Sequence, residues 1–207
     1  MVGATATGKT ALAEELATDL DAEIVCCDSR QVFGELEIGT GKPTPAERRA
    51  RSHHLFDALR LGQRASAGWF ARAAAEARDA IRARGRVPLL VGGSGLYLRA
   101  AIQGLAGEPP HDPAARARVR AALAAAGRTE ALRDLRAIGY DEALALLAGT
   151  LTREDAERAV NLRTAQLAKR QRTWFRHQID ALRIDAALGA PERRARAHEA
   201  IASSSSR

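Results

Sequence analysis

Cysteine is nearly absent from this chain of 207 residues, and the two present, Cys26 and Cys27, are adjacent. Adjacent cysteines cannot build a disulfide framework or a four-ligand metal site, which points to a reducing compartment, the cytoplasm. The pair reads most simply as strand packing. His53 and His54 likewise have no Cys or His at zinc spacing and read as structural residues or cavity lining. Aromatic residues make up only 4%. No apolar run approaches the roughly 20 residues that cross a bilayer, and the sequence opens without a basic-then-apolar signal segment, which argues against a membrane. Acidic residues are outnumbered, 25 against 32 Lys and Arg, for a net charge of +7 and a pI near 10.3. That excess favours a polyanionic partner, but the chain is rich in Ala and Arg throughout, so the placement of the arginines must decide. What remains is ordinary for a globular protein: 46% hydrophobic and 28% charged residues, in a length that suits one domain with at most a small appendage.

The first half alternates helix and strand signals. Leu12, Leu16 and Leu20 recur every four positions behind a Gly-rich opening, and predict a helix. Residues 23–27 are a short apolar run ending at Asp28-Ser29-Arg30, as a buried parallel strand would, with a polar cluster at its C-terminal end. A loop with Gly39, Gly41 and Pro43 leads into a polar, helix-like stretch ending at Arg51. Apolar positions 70, 73, 74, 77 and 81 mark an amphipathic helix stopped by Gly85, and residues 87–91 form a second apolar run closed by Gly92-Gly93-Ser94-Gly95. The pattern predicts an α/β fold, a P-loop-type parallel sheet flanked by helices, with a helical C-terminal half. Pro109 and Pro110 mark a break, and residues 112–135 are Ala/Arg-rich and helical in pattern. Thr152, three residues before Asp155, opens a long helix expected to run to about Leu182. Gly189-Ala190-Pro191 breaks a further helix, and residues 203–206 read as a frayed tail. The expected division is a catalytic core over 1–110, a helical segment over 111–136, C-terminal helices over 137–202 and a tail over 203–207.

Gly3-Ala4-Thr5-Ala6-Thr7-Gly8-Lys9-Thr10 fits G-x-x-x-x-G-K-[ST], with a helix directly behind it. Glycines let successive backbone N–H groups turn toward an anion, the helix N-terminus adds partial positive charge, and Lys9 neutralises terminal phosphate oxygens. The Thr10 hydroxyl can ligate a magnesium ion bridging the same phosphates. The bland alternative is a chance Gly-rich turn. Such loops follow a central strand, yet only Met1 and Val2 precede Gly3. Two expectations follow: either the true start lies upstream, or the sheet lacks a strand whose loss would exceed a domain's net stability of about 5–15 kcal/mol.

Further motifs stand in order: Asp28-Ser29-Arg30-Gln31-Val32-Phe33, Ile38-Gly39-Thr40-Gly41-Lys42-Pro43-Thr44, His53-His54-Leu55-Phe56-Asp57, Gly92-Gly93-Ser94-Gly95-Leu96-Tyr97, Ile138-Gly139-Tyr140 and Leu167-Ala168-Lys169-Arg170-Gln171-Arg172-Thr173-Trp174-Phe175-Arg176. From Val2 to about Gln178 the chain closely resembles the tRNA dimethylallyltransferases, also called tRNA isopentenyltransferases. The resemblance implies transfer of a dimethylallyl group from its diphosphate to N6 of an adenine beside the tRNA anticodon. Partners would be dimethylallyl diphosphate and the anticodon stem-loop, with Mg²⁺ as cofactor and the chain acting as a monomer. It implies Asp28 as the base that takes the amine proton, with a loop acid or a partner of magnesium as the bland alternative. Lys9, Thr10 and the loop N–H groups would hold the departing diphosphate. Contact with tRNA would fall to Asp28, Ser29, Arg30, Gln31, Ser94, Arg116, Thr164, Gln166, Lys169, Arg170 and Gln171.

Spacing adds an independent point: Lys169, Arg172 and Arg176 share one helical face, while Trp174 and Phe175 turn toward packing. A merely solvated basic face is the alternative. Two departures from the family stand beside the short opening. Ala165 occupies a position where the family has an arginine that helps grip the diphosphate, and Arg163, about 200° around the helix, could not substitute. The chain also runs from Glu130-Ala131-Leu132 into Ala137-Ile138-Gly139 without the family's inserted helical region, leaving 111–136 as a remnant of a tRNA clamp. The competing readings are a truncated remnant that binds tRNA with little or no catalysis, and a small-molecule P-loop kinase.

Overall fold

The structure is a computed structural model and describes residues 1–105 and 137–204. The helix expected over 112–135, and Arg116 within it, lie outside the described residues. Elements are numbered here among the described residues in chain order. Strands β1 (Ala22–Cys26), β2 (His53–His54) and β3 (Val87–Val91) form one parallel sheet in the order β2-β1-β3. Ile24 stands opposite His53 on one side and Leu89 on the other. All five residues of β1 are buried, as expected of a central parallel strand covered on both faces. The apolar run expected at 23–27 is thus shifted by one residue; Cys27, just past the strand, still donates its N–H to Val91 O at 2.7 Å. Val2 pairs with Gly92 through an isolated parallel bridge, with Gly3 N–H to Gly92 O at 3.4 Å. The backbone entering the phosphate loop therefore runs beside β3, on the side away from β1.

Helix α1 (Lys9–Asp19) starts straight from the loop. Its buried residues, Leu12, Ala13, Leu16 and Ala17, split between two faces. Ala13 and Ala17 pack on Ala22, Ile24 and Val91 of the sheet. Leu12 and Leu16 pack on Ala197 of the last helix, α7 (Ala190–Ser204). The small residues toward the sheet let α1 lie close to it, and the leucines carry the contact outward.

Helix α2 (Pro45–Ala50) opens on a reciprocal Thr44–Glu47 capping box. Helix α3 (Ala67–Ala83) begins three residues before Phe70, the first of the apolar positions that marked it, because the Ser66 hydroxyl caps it, accepting Trp69 N–H at 3.0 Å. Its Phe70 stacks on Tyr97 of α4 (Gly95–Gln103), with ring centroids 4.3 Å apart. Beyond the gap come α5 (Tyr140–Leu147) and α6 (Arg153–Gln178). The expected Thr152 cap is present, accepting Asp155 N–H at 3.1 Å. Helix α6 ends at Gln178, short of Leu182, where Ile179 turns extended so that it and Phe175 can pack beside Cys27, Phe70 and Tyr97. Helix α7 begins at the expected break, but runs through Ser203, where a frayed tail was the expectation. Among the described residues no helix is long and apolar enough to cross a membrane.

Candidate active site

The phosphate loop occupies the end of the sheet where β1 and β3 also finish. Gly8 caps α1 from the left-handed region, φ +75°, and Ala6 adopts φ +63°. For alanine that conformation costs about 1 kcal/mol, which the loop's cross-links must offset. The links are specific: Thr7 Oγ1 donates to Ala4 O at 2.9 Å, and Lys9 Nζ donates to the same carbonyl at 2.6 Å. Burial lowers the Lys9 ammonium below its ordinary range, and the nearby Asp28 carboxylate opposes that shift.

Gln171, from α6, ties the loop to the sheet. Its Oε1 accepts the Thr5 N–H at 2.8 Å and the Thr5 hydroxyl at 3.0 Å, while its Nε2 donates to Gly93 O at 3.0 Å. One N–H of the cradle is therefore engaged by a side chain.

Asp28 sits two residues past the end of β1. Its Oδ1 accepts the N–H of Arg30 at 2.8 Å and of Gln31 at 3.4 Å, a turn that fixes the carboxylate by its own backbone. Both bonds fall on Oδ1, so Oδ2 keeps its lone pairs. Ser29 N–H donates to Ser94 Oγ at 2.9 Å, joining the ends of β1 and β3. Gln31 Nε2 donates to Thr40 O at 2.9 Å. Thr40 belongs to a loop anchored by the buried Lys42, whose Nζ donates to Phe33 O at 2.8 Å and Asp57 Oδ1 at 2.6 Å.

Two cavities meet at this point. One, about 260 Å³, is lined by residues of the phosphate loop and by Ile24, Phe56 and Val91. The other, about 490 Å³, lies between the strand ends and α6, against Ser29, Arg30, Ser94, Thr164, Gln166 and Arg170. Thr5, Asp28, Thr40 and Gly93 line both. Burial pushes the Arg30 guanidinium below its usual range, and Asp28 opposes this.

The fold thus brings together most of the residues singled out in the sequence. Residues 5–10 line the first cavity together with Gln31, and Ser29, Arg30, Ser94, Thr164, Gln166 and Arg170 line the second. Lys169 is not among them: it lines a separate surface depression with Trp174 and His177. Helix α6 therefore turns a face of Thr164, Leu167, Arg170 and Gln171 to the cavity, whereas sequence spacing grouped Lys169 with Arg172 and Arg176. Arg163, which also lines the second cavity, is held by Asp141 at 2.9 Å and Glu142 at 2.6 Å. Thr40, Lys42 and Asp57 stand in two of the ordered motifs but were given no role there; what they do depends on contacts between those motifs that spacing along the chain does not show. His53 lines the first cavity and bonds Glu14 Oε1 at 2.8 Å.

The oxygen donors near the loop, the Thr10 hydroxyl and the Asp28 carboxylate, are hard ligands that suit a divalent cation shared with substrate phosphates. Among the described residues no group of three or more His, Cys, Asp or Glu is placed to hold a metal alone.

A parallel sheet flanked by helices, with a glycine- and lysine-bearing loop at its end, defines a P-loop-type α/β protein. The sequence pattern of the family described as IPP transferase matches residues 31–136 and 121–178, and the chain belongs to that family. It is 46% identical to a tRNA dimethylallyltransferase of Sorangium cellulosum over 153 residues, 74% of this chain and 49% of the relative. It is 48% identical to one of Salinispora arenicola over 149 residues, 72% of this chain and 43% of the relative. The chain spans about half the length of the curated relatives it matches. The full-length tRNA isopentenylpyrophosphate transferase of Bacillus halodurans superposes with a TM-score of 0.80 at 25% identity, covering 98% of this chain and 94% of that one. The fold is also that of the tRNA delta(2)-isopentenylpyrophosphate transferase of Staphylococcus epidermidis, with a TM-score of 0.79 at 21% identity, covering 98% and 97%.

Proposed function

We propose that this chain transfers a dimethylallyl group from dimethylallyl diphosphate to N6 of an adenine beside the tRNA anticodon, releasing diphosphate. The observation that carries the reading is the position of Asp28 on the wall shared by the phosphate-loop cavity and the cavity beneath α6. The donor's diphosphate enters the first and the adenine the second. The N6 lone pair attacks the allylic carbon as the carbon–oxygen bond to diphosphate breaks. The amine proton passes to Oδ2 of Asp28, the oxygen free of the Arg30 and Gln31 amides.

Lys9 and the loop N–H groups of residues 6–10 neutralise the charge that develops on the leaving group, with the Thr5 N–H already taken by Gln171. Thr10 is the residue that would hold Mg²⁺, which when bound would supply Lewis-acid stabilisation of the diphosphate. Ser29, Arg30, Gln31, Ser94, Thr164, Gln166 and Arg170 receive the RNA, with Lys169 further out; Arg116, outside the described residues, is a further tRNA contact that the family resemblance implies. The catalytic unit is the core over 1–110 with the C-terminal helices of 137–202 packed on it, acting as a monomer in the cytoplasm.

The test is incubation with dimethylallyl diphosphate and unmodified tRNA, followed by mass spectrometry of the digested nucleosides. A prenylated adenine is expected, and Asp28→Ala should cut its rate at least ~100-fold. Salt-sensitive tRNA binding without product would identify a binding remnant instead. ATP bound more tightly than the allylic diphosphate would favour a kinase.

A further inference from the structure

Arg193 projects from the first turn of α7 onto the phosphate loop. Its Nη1 donates to Thr7 O at 3.3 Å and stands 2.6 Å from where a Cβ on Gly8 would be. Gly8 must be glycine for its left-handed backbone, and the guanidinium occupies the space beside it. Its α7 neighbours have acidic partners: Arg194 pairs with Asp19, and Arg196 with Glu192 at 3.6 Å. No carboxylate of the described residues lies within 4.0 Å of Arg193. Its Nε is, among the described residues, a buried polar side-chain atom with no hydrogen-bond partner. Such an atom calls for an explanation, since an unpaired buried donor on a charged group is costly. Here the guanidinium is pressed against the backbone of an anion cradle with no counter-charge of its own.

We propose that Arg193 is a second fixed positive charge of the phosphate site, seated behind the loop on its carbonyl side, and that the bound diphosphate is its counter-ion. The proposal rests on the phosphate-loop reading above and extends it to a residue of the C-terminal helix. Arg193 acts as a positioning residue: it holds the Thr7 carbonyl outward, which turns the following N–H groups inward, and it adds charge at short range through a thin layer of backbone.

The experiment is calorimetric titration of inorganic pyrophosphate into the full chain and into Arg193→Gln, Arg193→Lys and Lys9→Ala, at several KCl concentrations, with a thermal melt of each. Gln keeps a donor for Thr7 O but removes the charge; Lys keeps the charge but loses the planar fork. Arg193→Gln should bind pyrophosphate about tenfold more weakly and with a shallower salt dependence, while Arg193→Lys stays within about threefold of the parent. A structural brace alone would lower the melting temperature of both variants without separating their affinities. Equal pyrophosphate affinity in parent, Gln and Lys variants, with binding lost in Lys9→Ala, overturns the role of Arg193 and leaves the phosphate-loop reading standing. Equal weakening of Gln and Lys overturns the charge role likewise. Failure of the parent chain to bind pyrophosphate overturns both.

Discussion

At the scale of single residues, the site is organised by side chains that hold backbone. Asp28 is fixed by the two N–H groups that follow it, Ser94 receives the N–H of Ser29, and Gln171 receives that of Thr5. Gln171 matters most for the loop, because its two ends bridge the loop tip and the end of β3. Gln171→Leu keeps the bulk and removes the bonds. It should cost about 1 kcal/mol of global stability, since Thr5 is exposed and water can replace part of what is lost. It should also raise the hydrogen-exchange rate of the Thr5 amide at least tenfold, read by NMR or mass spectrometry, with exchange in α1 unchanged. An unchanged Thr5 amide would mean that the loop holds its form by itself. The sequence named Gln171 through a family motif as a contact to RNA; that it spends both ends of its amide inside the protein depends on a bond spanning 166 residues, which no local pattern signals.

At the scale of elements, the central strand carries a charge that its apolar reading passes over. Glu23 lies within β1 and is buried, yet two arginines and a histidine reach it: Arg84 at 2.7 Å, His54 at 2.5 Å and Arg86 at 3.8 Å. The bonds from Arg84 and then His54 overcome the burial penalty and hold its carboxyl down to about 2 from an ordinary 4.5. The sign follows directly. A carboxyl depressed in the folded state stabilises fully above its unfolded pKa, and that contribution is lost as pH falls from about 4.5 toward 2. Urea melts of Glu23→Gln should show a loss of roughly 3 kcal/mol at pH 7. The gap to the parent should close as the pH drops through that window. A gap that stays constant with pH would assign the loss to packing rather than to ionisation. Strand and helix existence was legible here because periodicity and runs of β-branched or apolar residues survive in local sequence: residues 87–91 and the Thr152 cap appear as expected. Ends were less so. Helix α6 stops at Gln178 because Ile179 is needed in the core around Phe70 and Tyr97, a tertiary demand rather than a local one.

At the scale of the whole molecule, the sheet and the C-terminal helices are joined where the backbone passes closest. The Gly92-Gly93-Ser94-Gly95 turn was legible as a strand end, but its reason was not, since glycine leaves no side chain from which to infer a partner. At Gly95 a Cβ would stand 2.3 Å from the ring of Trp174, well inside contact distance. At Gly93 it would meet Gln171 Nε2 at 2.5 Å. The glycines thus admit α6 onto the sheet, which in turn delivers Arg170 and Gln171 to the cavity around Asp28. On the opposite flank α7 lays Ala197 against α1 and Arg193 against Gly8. Two helices distant in sequence therefore clamp one short loop, which accounts for a composition-level excess of arginine resolving into a few placed ones. Gly95→Ala tests the joint. Helix propensity alone would make alanine better by up to about 1 kcal/mol at a helical position, but overpacking against a fixed indole costs about 1–3 kcal/mol. The net expectation is destabilisation of about 1–2 kcal/mol in a denaturant melt, with the rate of the proposed prenyl transfer falling further than stability because α6 is displaced. Trp174→Ala should lower stability through the space it empties, and the double variant Gly95→Ala/Trp174→Ala should be no less stable than Trp174→Ala alone, since the clash is gone. Strictly additive losses would show that the two residues do not meet, and would remove the close approach of α6 as the device that completes the site.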